Sequence, residues 1–166
     1  MLKEEECRMF REMRRKAQAL SVDECIRVLT EERRGVLSVL GDGGYPYGMP
    51  LNHWYDDADG HLYFHGGKAG HRVDAVKDCD KVSYCVFDEG YRLEGDCALQ
   101  VRSVIVFGRL RPVEDKSRAM EVCRKLCRRF TSDEKYIEDE ILRHGSGTLV
   151  YELVPEHMTG KLVKES

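Results

Sequence analysis

GVLSVLGDGGYPYGMPLNHWYDDADGHLYFHGGKAGHR, residues 35–72, decides how this chain is read. GVLSVL has the alternation of a strand, and the glycines of GDGG permit the positive φ angles that a hairpin needs. YPYGMPLNHWYD is a second, long strand carrying Pro46 and Pro50. Proline removes a ladder donor, so this strand belongs at a sheet edge, a bulge or a barrel seam, with backbone groups left free to meet a ligand. DDADG turns the chain into a third strand, HLYFH. The loop HGGKAGHR then feeds a short helix, HRVDAVKD, with Val73 and Val76 on one side. Lys68, His71 and Arg72 stand at the mouth of that helix. Cations there oppose the helix dipole unless an anion joins them, so the loop is suited to a phosphate group.

GDGGYPYG has the glycine density of a nucleotide-binding fingerprint, but such a motif must open a helix, whereas Tyr45, Pro46 and Tyr47 continue into a strand. It is read as a turn. His53, His61, His65, His71 and Asp74 offer imidazole and carboxylate groups of the kind that bind zinc or iron, yet no HExxH or comparable spacing occurs, and no metal site is expected.

Outside the stretch, Ser21 caps a helix, with Glu24 completing a capping box and Val22, Cys25, Ile26 and Leu29 forming one apolar stripe. Residues 1–20 read as an N-terminal helical arm. KVSYCVF, LQVRSVIVFGRLRPV and TLVYELV alternate as strands. Met120, Cys123, Leu126, Cys127 and Phe130 trace a helical stripe, and TSDEKYIEDEILRH adds a second helix capped by Thr131 or Ser132. The pattern predicts one mainly β domain over residues 1–166: a six-stranded antiparallel barrel with flanking helices.

The 166 residues suffice for a single core, and 27 basic against 30 acidic residues, a net charge of −3, create no field that recruits nucleic acid or an anionic membrane. The longest apolar runs are strand-sized and the N-terminus lacks a signal-peptide core, which points to the cytoplasm. An odd cysteine count of seven suits buried, reduced thiols better than disulfides or zinc.

The segments MRRK at 13–16, GVLSV at 35–39, GYPYGMPLN at 44–52, YFHGGKAGHR at 63–72, SVIVFGRLR at 103–111 and HMTGK at 157–161 resemble, in order, the FMN-binding split-barrel superfamily. That superfamily includes the pyridoxamine 5′-phosphate oxidases, and the chain looks closest to its nitroimidazole-resistance branch. The resemblance implies a homodimer with FMN in clefts between subunits. Lys68, His71 and Arg72 would hold the phosphate, Met49, Pro50, Leu51 and Asn52 would lie along the ring, and His65 and Gly66 beside the ribityl chain or ring. Ser103, Val104 and Ile105 would approach the cofactor from the partner subunit. His71 is the side chain expected to act chemically, since imidazole changes charge near neutral pH. Residues for binding pyridoxal phosphate are not evident. The function implied is an FMN-dependent oxidoreductase, nitroreductase-like, drawing on a reduced nicotinamide donor; the alternative is a flavin- or haem-binding barrel without turnover.

Overall fold

The computed structural model describes residues 9–165. In chain order the elements are α1 (Val22–Glu31), β1 (Arg34–Leu40), β2 (Pro46–Asn52), β3 (Trp54–Asp56), β4 (His61–Gly67), α2 (His71–Asp78), β5 (Lys81–Phe87), β6 (Tyr91–Arg92), β7 (Leu99–Pro112), α3 (Lys116–Arg128), α4 (Glu134–His144) and β8 (Thr148–Glu165). All strand pairings are antiparallel, and the sheet runs β2-β1-β5-β7-β8-β4-β3 with β6 appended to β7.

The expected mainly β barrel with flanking helices is present, with eight strands in place of six. Two differences account for the count. The long strand YPYGMPLNHWYD divides at His53, because β2 pairs with β1 whereas β3 pairs with β4. These are the opposite ends of the sheet, so one residue joins its two edges and the sheet must curl to bring them together. The second addition is the two-residue β6.

Alternation sets the inside of the barrel. Leu37 and Val39 of β1, Val82, Tyr84 and Val86 of β5, and Val104, Val106 and Leu110 of β7 are buried in one core with Leu62, Phe64, Tyr151 and Leu153. The longest ladder, β7 with β8, shifts register between Phe107 and Gly108.

Helix α1 has the expected capping box at Ser21 and Glu24. Its buried residues are Cys25, Val28 and Leu29; Val22, expected in the stripe, is exposed in the first turn. The carbonyls left over at its C-terminal end are taken by side chains: Leu29 O by His53, and those of Thr30, Glu31 and Glu32 by Arg129. Helices α3 and α4 close one side, where Val122 and Leu126 pack with Tyr63 and Val150. The N-cap of α4 is Asp133, whose carboxylate accepts from the Tyr136 N–H, and not Thr131 or Ser132; Thr131 instead accepts from the Asp133 N–H.

The arm differs from expectation too. Residues 1–8 lie outside the described residues, and from residue 9 to Leu20 the helical content is one 3-10 turn, Lys16–Gln18. Phe10 replaces helical contacts with a stack on His157, ring centroids 4.7 Å apart, on the outer face of β7 and β8. No helix among the described residues is long and apolar enough to cross a membrane.

Candidate functional site

The seam is where the barrel is open. Residues Trp54–Asp56 of β3 pair with His61–Tyr63 of β4, so beyond Tyr63 the β4 backbone from Phe64 to Gly67 has no β3 partner on that side. Opposite it runs the free edge of β2. A cleft of about 360 Å³ lies there, lined by Arg34, Pro50, Leu51, Asn52 and His65.

Hydrogen bonds at both ends of the β1–β2 ladder set its phase. Gly41 N–H donates to Tyr45 O at 2.8 Å, and His53 N–H to Arg33 O at 3.1 Å. With the register running unbroken from Arg34↔Asn52 to Leu40↔Pro46, the polar groups of Tyr47, Met49 and Leu51 face β1. Those of Pro46, Gly48, Pro50 and Asn52 face the open edge. Both prolines therefore sit where a missing N–H costs the ladder nothing, and of the places they allowed, an edge, a bulge or a barrel seam, β2 takes the edge. Of the expected ring-side residues, Pro50, Leu51 and Asn52 line the cleft, while Met49 packs on the core. Asn52 is the cleft residue whose N–H is turned to the edge.

Arg34 belongs to this site and was not singled out from sequence. It ends β1 directly opposite Asn52, and its Nε donates to Asn52 Oδ1 at 3.1 Å. Only knowledge of the β1–β2 register could have found it.

At the far end of the β4 edge the loop turns into α2. Its N-cap, Gly70, has φ 118° and no side-chain cap, so the first N–H groups of α2 are left open. Arg72 lies against Gly66, with its guanidinium 5.5 Å from the Tyr151 ring centroid. Its Nε is buried without a hydrogen-bond partner, and it forms no ion pair among the described residues. His65 is held below the usual histidine range, first by the walls that desolvate its ring and then by the charge of Arg72.

The three basic residues of the loop do not converge. Lys68 Nζ reaches Ser146 O at 2.5 Å, on the α4–β8 side. His71 stacks on Tyr47, centroids 4.2 Å apart, and its Nε2 accepts from the Asp42 N–H at 3.3 Å, beside the β1–β2 turn. Arg72 alone remains at the cleft end, and His71 is not brought to the cleft. Ser103 and Ile105 lie on the outer face of β7 beside a hollow of about 210 Å³ shared with Arg11, Met13 and Lys161. Val104 is 0 % exposed inside the core, and its backbone lies between Val86 of β5 and Gly160 of β8, so it presents nothing to a ligand in this chain.

The remaining polar candidates disperse. Among the described residues no group of three or more His, Cys, Asp or Glu is placed to hold a metal ion. Cys123 and Cys127 share a face of α3 and border a small hollow of about 100 Å³ with His65 and His144. Burial raises both thiols above their ordinary pKa, which leaves them protonated and poorly nucleophilic.

A curled antiparallel barrel, open along one seam, with an unpaired arginine where the open edge meets a helix start, defines a ligand-binding split barrel. The chain belongs to the pyridoxamine 5′-phosphate oxidase family, whose model matches residues 21–162. Among solved structures it is similar to a Bacteroides thetaiotaomicron protein assigned on a provisional basis to 5-nitroimidazole antibiotic resistance, at 17% identity and TM-score 0.73, covering 89% of this chain and 87% of that one. It is also similar to a FAD-binding protein of Mesorhizobium loti, at 25% identity and TM-score 0.63, covering 88% and 97%. A FAD-binding protein of Mycobacterium smegmatis is 20% identical, with TM-score 0.59 and coverage of 89% and 98%. No curated protein matches the chain.

Proposed function

We propose that this protein is a flavin-dependent oxidoreductase that binds FMN in the seam cleft. The observation that carries the reading is Arg72: a guanidinium with a buried, partnerless Nε, beside Gly66 and the uncapped start of α2. Leaving such a donor unsatisfied is costly, and one phosphate monoester supplies the acceptors it lacks. One unpaired cation suits the single phosphate of FMN, and the flavin-binding relatives make a flavin the natural occupant. The ring then lies along the β2 edge, where Asn52 N–H is a free donor and Pro50 and Leu51 form an apolar floor.

When bound, flavin supplies the hydride and electron chemistry. The chain anchors it through Arg72, orients it on the β2 edge, and presents His65 and cationic Arg34 around it. A fixed N–H and a nearby guanidinium favour negative charge on a ring that gains electrons. The open cleft suits a small acceptor such as a nitro compound, with a reduced nicotinamide as donor.

The reading includes a homodimer. On the outer sheet face Pro50, Val36, Cys85 and Ile105 stand in one cross-strand row, and Phe87 and Phe107 add exposed apolar surface. A second copy covering that face would bring Ser103 and Ile105 to the neighbouring subunit's cleft.

The test is an absorption spectrum of the purified protein, with release and identification of the chromophore. A flavin spectrum yielding FMN is expected, and a nicotinamide donor should bleach it. A haem band, bound flavin that no donor reduces, or no uptake of FMN at all overturns the reading. Arg72→Ala should weaken FMN binding by about 1.5–3 kcal/mol, the scale of charge-assisted hydrogen bonds.

A further inference from the structure

Behind the β2 edge lies a buried hydrogen-bond network in which one hydroxyl proton faces two acceptors. His53, 0 % exposed, is the one residue linking the two edges of the sheet. Its Nε2 is 2.8 Å from Leu29 O and its Nδ1 2.9 Å from Tyr84 Oη. Tyr84, also 0 % exposed, reaches beneath Gly35, and its Oη is 3.0 Å from Leu51 O. A carbonyl only accepts, so Nε2 must carry a proton. The ring is fully buried with no carboxylate partner, and the one charge acting on it is that of the Arg129 guanidinium, which opposes a second positive charge, so it is neutral and Nδ1 is an acceptor. The single hydroxyl proton of Tyr84 thus faces two acceptors, His53 Nδ1 and Leu51 O.

These alternatives differ at the cleft. Leu51 C=O and Asn52 N–H belong to one planar peptide unit and point in opposite directions, the carbonyl toward β1 and the N–H to the open edge. A donor on the carbonyl polarises that unit and strengthens the N–H at its other end.

We infer that Tyr84 is a hydroxyl toggle between His53 and Leu51 O, and that its position tunes the Asn52 N–H presented to the ligand. His53 and Tyr84 are then positioning residues that act through the Leu51–Asn52 peptide. The effect on a bound ring rests on the proposal that a flavin lies along β2; the toggle itself does not.

Opposite substitutions must move the site in opposite directions. Tyr84→Phe removes the donor, so the Asn52 amide proton signal should shift upfield in ligand-free protein, and with FMN bound the midpoint potential should fall. His53→Phe removes the competing acceptor and commits the hydroxyl to Leu51 O, so both readouts should move the other way. His53→Gln, whose amide can donate to Leu29 O and accept from Tyr84, should restore values near those of the unaltered protein. It keeps the test decisive if His53→Phe does not fold. Ring nitrogen signals of His53 should show the neutral Nε2–H tautomer at pH 7. An imidazolium, an Nδ1–H tautomer, or an Asn52 amide that is unmoved or moves the same way in both variants overturns the toggle. A protein that binds no flavin would refute the proposed function, while the ligand-free signals would still decide this inference.

Discussion

Arg72 occupies the space that a β-carbon on Gly66 would need: all three nearest atoms to such a carbon belong to its guanidinium. Glycine at 66 therefore keeps a cation in place as well as letting the loop turn. Gly66→Ala should displace Arg72 and weaken FMN binding by about 1.5–3 kcal/mol, much as loss of the guanidinium would. Gly66 lies within the β4–β8 ladder opposite Leu149, so the fold should survive. Flavin titration by fluorescence quenching measures the effect, and full affinity in the alanine variant would place the phosphate elsewhere.

His53 makes stability depend on acid. Burial lowers its pKa from 6.5 to about 4. Between those values the unfolded chain binds a proton that the folded chain refuses, so stability rises with pH there. This contribution is complete above pH 6.5 and is lost as the pH falls to about 4, on the order of 3 kcal/mol in all. Urea midpoints across that window should fall with pH in the unaltered protein. They should fall less steeply in His53→Gln; identical slopes would contradict the buried neutral ring.

Gly108 and Gly147 form a matched pair. A β-carbon at Gly108 would collide with the Val154 carbonyl at the register shift between β7 and β8, and that carbonyl is backbone and cannot swing aside. At Gly147 nothing lies within 4 Å. Gly108→Ala should cost about 1–3 kcal/mol of stability, as overpacking does, and Gly147→Ala should leave it within about 0.5 kcal/mol. Equal thermal midpoints for the two would refute this packing account of β7.

The homodimer proposal is tested on the outer sheet face. Val36, 37 % exposed, stands between Pro50 and Cys85 in the cross-strand row. Val36→Glu should yield a monomer by light scattering with unchanged circular dichroism, since its side chain points away from the core. A dimer that persists would move the interface to another surface.

Much of this was legible in the sequence because it is governed by local chemistry. Ser21 and Glu24 cap α1 wherever that helix packs, GDGG must turn, and the alternation in β1, β5 and β7 marks which residues face inward. Pro46 and Pro50 marked β2 as a strand at an edge, a bulge or a seam, since a regular central strand would lose ladder bonds there. The glycine-rich loop HGGKAGHR and the placing of Lys68, His71 and Arg72 at a helix start were visible in the sequence.

Tertiary structure decided what depends on pairing and direction. Periodicity says which face a residue occupies but not which strand lies beside it. Hence YPYGMPLNHWYD divides between opposite edges of one sheet, Arg34 joins the cleft opposite Asn52, and His53 becomes the buried seam between Leu29 and Tyr84. Lys68, His71 and Arg72 are neighbours in sequence, but loop and helix geometry send their long side chains to three different surfaces. By itself the sequence determined a barrel with a proline-marked strand and a glycine-rich cationic loop. The closing of the sheet, a non-local event, determined which backbone groups were left unpaired and which cation was left to meet a ligand.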